Sequence, residues 1–70
     1  MNIDSIKDII NKNIGRMVRI TVYGIRNKVN HYDGTLYKTY PNIFTILYNG
    51  EEKSFSYRDM ITKDIDVKYL

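Results

Sequence analysis

A mainly β fold carrying one N-terminal helix is predicted by three features of the sequence. Isoleucines recur at helical spacing up to Ile14, a period of two begins after Gly15, and closely spaced turn signals divide the rest of the chain. One helix, then five short strands with a single helical turn before the last, is the layout of a small SH3-like or Sm-like barrel. Closing a sheet hides its edges, which a chain with so thin a core needs.

The opening "MNIDSIKDIINKNIG" places Ile3, Ile6, Ile10 and Ile14 on one face of a helix expected over about residues 3–12. Asn2 suits the N-cap, Asp4 the positive helix N-terminus, and Gly15 a left-handed residue after the last turn. The barrel is expected over about 16–70. In "RMVRITVY", Val18, Ile20 and Val22 face inward while Arg19, Thr21 and Tyr23 face out, as in a half-buried strand. "GIRNK" is a glycine-led turn. A long run from Val29 to Tyr40 comes next, interrupted by Gly34, where a bulge or bend would let one strand serve both halves of a curved sheet. "YPN" turns the chain and "IFTILY" is the third strand. "NGEE" is a tight hairpin of type I′ and "KSFSY" the fourth strand. "RDMIT" is a short helical turn and "DIDVKYL" the fifth strand, with Ile65, Val67 and Tyr69 on one face.

Seventy residues, 43% of them hydrophobic, make one domain over 1–70, because so short a chain cannot form two separately cored units. The absence of cysteine removes disulfides and thiolate metal sites, and suits a reducing compartment. With neither a signal peptide nor a membrane span in the pattern, a soluble cytoplasmic protein is expected, without a membrane partner. The net charge of +3 is concentrated in residues 14–41, where Arg16, Arg19, Arg26, Lys28 and Lys38 face Asp33 alone. That asymmetry favours an acidic partner, either nucleic acid or an acidic protein face.

Catalysis is not expected. One histidine, His31, supplies one ligand where zinc needs three or four, and a barrel this small does not enclose a substrate. Asp64 and Asp66 alternate with Ile65 and Val67 and so belong to a solvated outer face. No P-loop or dinucleotide-binding pattern occurs, and no cofactor or metal is expected. Asp59, where the fourth strand gives way to the helical turn, is placed to cap the N–H groups after it. Tyr57, Met60 and Phe44 are expected in the core, Tyr40 exposed at its turn. The partner-binding candidates are Arg16, Arg19, Arg26, Lys28 and Tyr40. A glycine-led turn exposes N–H groups beside Arg26 and Lys28, a combination suited to phosphate or carboxylate.

Five blocks in order also resemble a known family. They are Ile14-Gly15-Arg16, "GIRNK" at 24–28, Asp33-Gly34, "TYPNIF" at 39–44 and "SFSYRDMIT" at 54–62. They are similar to the Leu-Gly-Lys opening, Gly-Gly-Arg-Arg-Lys turn, Ser-Gly, Thr-Tyr-Pro-x-x-Phe and Ser-Tyr-Ser-Tyr-x-Asp-Val-Leu-Thr of the Veg family. These are small proteins of Gram-positive Firmicutes associated with stimulation of biofilm formation. Against that pattern the turn has one glycine and one arginine fewer. The connection from the third to the fourth strand is shorter, and the acidic C-terminal tail of longer members is missing. The resemblance implies an SH3-like barrel and a non-enzymatic role in transcription, by relieving a master repressor of biofilm matrix genes. A protein partner of that kind is the leading expectation. Direct, weak binding of RNA or DNA by an Sm-like barrel is the alternative, and a homo-oligomer paired through the last strand is a third.

Overall fold

Asn2 opens helix α1 (Ile3–Lys12), its side-chain oxygen accepting a hydrogen bond from the Ser5 N–H at 2.8 Å. The computed structural model describes residues 2–24, 26 and 28–70; Ile25 and Asn27, inside the expected "GIRNK" turn, lie outside the described residues, as does Met1. Ile6 and Ile10 are buried and Ile3 packs against them, so the helical stripe holds for three of its four isoleucines. Ile14 is 41% exposed. The helix ends before it, at the cap Asn13, whose side chain donates to the Ile9 carbonyl at 2.7 Å and whose N–H donates to Ile10. Gly15 takes φ 93, the left-handed conformation its position predicts, and its N–H donates to the Leu36 carbonyl at 2.8 Å.

Five strands succeed the helix: β1 (Met17–Tyr23), β2 (Val29–Thr39), β3 (Ile43–Tyr48), β4 (Glu51–Ser56) and, after the short helix α2 (Tyr57–Ile61), β5 (Ile65–Tyr69). They form one antiparallel sheet in the order β4-β3-β2-β1-β5. β2 serves both halves, as expected: Val29 to Thr35 pair with β1, and Thr35 to Thr39 with β3. Gly34 is not the bulge, however. Its pairing with Val18 is regular, and the register slips instead between Leu36 and Lys38, where the Lys38 N–H donates to the Thr45 hydroxyl at 3.2 Å. What Gly34 provides is room, since a Cβ there would run into the Leu47 carbonyl and lie 3.1 Å from Ile46 Cδ1.

Asn49 (φ 51) and Gly50 (φ 80) make the type I′ hairpin, because two left-handed residues in succession match the twist of the flanking strands. β4 therefore begins at Glu51, two residues before "KSFSY", and ends one residue sooner, since Tyr57 belongs to α2. The cap of α2 is also not the expected Asp59. Ser56 holds that position and its hydroxyl accepts from the Arg58 N–H at 3.1 Å, which places Asp59 already inside the first turn. Ser56→Ala should cost about 1 kcal/mol in urea denaturation and Asp59→Ala less than about half of that.

Phe44 and Tyr57 lie at the centre of the core, fully buried, with rings stacked 5.6 Å apart at 28°. Phe55 extends the cluster to Tyr32, and Tyr32 to Tyr48 in an edge-on pair at 5.2 Å. Val18, Ile20, Leu36, Ile46 and Ile65 fill the remaining inner face. No ladder joins β4 to β5 among the described residues, so the barrel is open there and α2 carries the chain across the gap. None of the described helices is long and apolar enough to cross a membrane.

Candidate interaction surface

The five partner-binding candidates do not gather at one place. Arg26 and Lys28 sit together in the β1–β2 connection, which is closed by the Gly24 N–H donating to the Lys28 carbonyl at 2.6 Å. Both side chains are exposed, and Arg26 holds a left-handed φ of 60. A non-glycine residue there costs about 1 kcal/mol or more, a strain that closed loops tolerate. Neither cation has an ion-pair partner among the described residues.

Arg16 lies at the opposite end of β1, about 20 Å away at the ordinary rise of a strand. Its guanidinium donates to Asn13 Oδ1 at 3.3 Å and stands 5.0 Å over the Tyr69 ring, so much of it is already engaged. Arg19 is engaged more completely. It forms a bidentate pair with Asp33 across the β1–β2 ladder, at 2.8 and 3.2 Å. The hydrogen bond from Arg19 holds the Asp33 carboxyl below its ordinary range, and Asp33 in turn raises Arg19. Both side chains are close to half exposed, so the pair adds little to stability. Its consequence is electrostatic: the one acid in the basic segment neutralises Arg19. Counting back from the Tyr23–Val29 pair that closes the loop predicts this partnership, but only once the loop length is fixed.

Tyr40 is exposed at the far end of β2 from Lys28, as its turn predicts. Its hydroxyl donates to Glu52 at 3.3 Å, and its N–H closes the turn on the Ile43 carbonyl at 2.8 Å. Arg26 and Lys28 therefore stand at one end of β2 and Tyr40 at the other. The side chain that does accompany the loop cations is Tyr23, half exposed at the end of β1. Its outward position follows from the alternation, and its place one residue before Gly24 is the signal that marks it.

Elsewhere the outer face carries a row that sequence reasoning misses. Leu70, just past the end of β5, lies side by side with Met17, Thr35 and Leu47 on β1, β2 and β3, with Met17 and Leu70 about half exposed. Each is unremarkable alone; register brings them together. His31, also on this face, meets Thr21 at 3.1 Å. Among the described residues, His, Asp and Glu side chains nowhere gather in a group of three that could hold a metal. A shallow cleft of about 300 Å³ is lined by Ile3, Asn42, Ser56 and Arg58. Ser56 is occupied there in capping α2.

The fold is a small open barrel with an N-terminal helix, its charged side chains on loops and outer faces. The family model for the biofilm formation stimulator VEG matches residues 1–68, and the chain belongs to that family. Its role is accordingly regulatory, in biofilm formation, and the family is not a known enzyme family. No match is found among curated proteins.

Proposed function

We propose that this chain is a non-enzymatic interaction module that acts in the cytoplasm by binding a transcriptional repressor of biofilm matrix genes and relieving repression. Family membership supports the regulatory role. The observation that carries the contact is the β1–β2 loop, where Arg26 and Lys28 are exposed, close together and without an acidic partner among the described residues. An acidic face on the repressor would complete these charges, with Tyr23 adding a rigid apolar surface beside them. Arg16, Arg19 and Tyr40 hold internal partners and contribute less.

The test is competition for the repressor on its operator DNA. Purified chain should displace the repressor in a concentration-dependent way, and the Arg26→Glu, Lys28→Glu double variant should need at least about tenfold more protein. Equal potency of a folded double variant would remove the loop from the interface. A second reading draws on the same Tyr23, which could stack a base while the two cations hold phosphates. Direct nucleic-acid binding would weaken log-linearly with salt, with a slope of about −1.5 for two neutralised phosphates. Binding of the repressor by the chain in the absence of any DNA separates the protein contact from it.

A further inference from the structure

Strand β5 leaves one edge open, because its only ladder among the described residues is with β1. Tyr23 donates to the Asp64 carbonyl and Leu70 to the Met17 carbonyl, which fixes the alternation along β5. By that alternation Asp66 and Lys68 direct their backbone groups to β1, while Ile65, Val67 and Tyr69 direct theirs to the open edge. The side chains run the other way round: Asp66 and Lys68 are exposed on the outer face, and Ile65, Val67 and Tyr69 face inward.

The sequence of this edge is self-complementary. Turned about a two-fold axis through Val67 and laid antiparallel on itself, Ile65-Asp66-Val67-Lys68-Tyr69 sets Asp66 opposite Lys68 of the second copy, twice. Ile65 then meets Tyr69, and Val67 meets Val67. Each of these last pairs joins residues whose N–H and C=O already point outward, so the hydrogen-bonding positions and the charge positions agree. Within one chain neither Asp66 nor Lys68 has an ion-pair partner among the described residues, and Lys68 sits opposite Arg19 on the β1 side. A second copy would supply the missing acid. An apolar groove of about 170 Å³ runs along the inner side of the same edge, where Ile9 and Met60 face Val67 and Tyr69. Ile9 is 46% exposed there.

We propose that β5 is the interface of a two-fold homodimer, with Asp66 and Lys68 of each copy paired across the seam and Ile9 covered beneath it. Two barrels then share one continuous sheet, and the open side of each is closed by the other. The two Arg26–Lys28 loops remain free, presented in duplicate to a partner.

The charge pairs make the test specific without disturbing the fold, since both residues are exposed. Sedimentation of the wild-type chain across a concentration series should show twice the 8.3 kDa mass at tens of micromolar. Asp66→Lys alone or Lys68→Asp alone places like charges opposite one another twice, and should weaken association by about tenfold. Mixing the two single variants restores opposite charges in a heterodimer, as does combining both substitutions in one chain, and both should associate like wild type. A wild type that stays at one copy throughout, single variants that associate as well as wild type, or a mixture that fails to recover would each overturn the proposal. So would masses above two copies, which would indicate β4 of one copy pairing with β5 of the next.

Discussion

Gly34→Ala should destabilise the fold by about 3 kcal/mol, the upper part of the range for overpacking a core. Gly34 is buried at the point where β2 passes from its ladder with β1 to its ladder with β3. The added Cβ would meet the carbonyl oxygen and carbon of Leu47, and Ile46 Cδ1 behind them. A flexible side chain could yield; the Leu47 carbonyl belongs to the β3 backbone, so relief requires β2 and β3 to separate. A core of this size supplies about 3–5 kcal/mol in total, so the variant should be largely unfolded at 37 °C. Gly15 and Gly50 are the controls. Both have open space where a Cβ would stand and differ from Gly34 in their positive φ, so Ala there should cost about 1 kcal/mol. Urea denaturation of the three variants separates crowding from backbone strain. A Gly34→Ala protein as stable as Gly15→Ala would mean that the two strands are not held at that distance.

The difference between these glycines also shows what a sequence carries openly. Gly50 beside Asn49 announces its turn, because a type I′ pair is a local requirement. The bounds of α1 are equally local, set by Asn2 and by the spacing of Ile3, Ile6 and Ile10. Gly34 is legible as an exception within a strand, but its cause lies across the ladder on β3. Without that neighbour in view, the slip near Lys38 is easily assigned to the glycine. The same limit applies to the surface. Five candidates share a composition, yet cross-strand register neutralises Arg19 with Asp33 and the Tyr40 turn finds Glu52, while Arg26 and Lys28 stay exposed because a loop has no facing strand. Ser56 takes the cap from Asp59 because the strand ends one residue sooner than its alternation suggests. Local chemistry can be read directly, and pairings across the sheet cannot.

Tyr57→Ala and Tyr57→Phe should have effects of opposite kind. Truncation to alanine removes a fully buried ring stacked on Phe44 and leaves a cavity at the centre of the core. Such changes cost about 3–5 kcal/mol, so the alanine variant should not fold. Phenylalanine keeps the ring and removes a hydroxyl that is buried without a completed hydrogen bond, although Thr39 and Tyr40 lie close to it. That change should be neutral or stabilising by up to about 1 kcal/mol. Burial pushes the Tyr57 phenol up from its ordinary value. The folded state therefore keeps this proton at pH values where the unfolded chain has released it, and stability falls as pH rises above about 10. Tyr69, raised by burial against the opposing pull of Arg16, adds to the same loss. Denaturation at about pH 8 and about pH 10.5 should show Tyr57→Phe losing less stability over that interval than the wild type. If both proteins lose the same amount, the alkaline sensitivity belongs to other groups and burial does not hold the Tyr57 proton in the folded state.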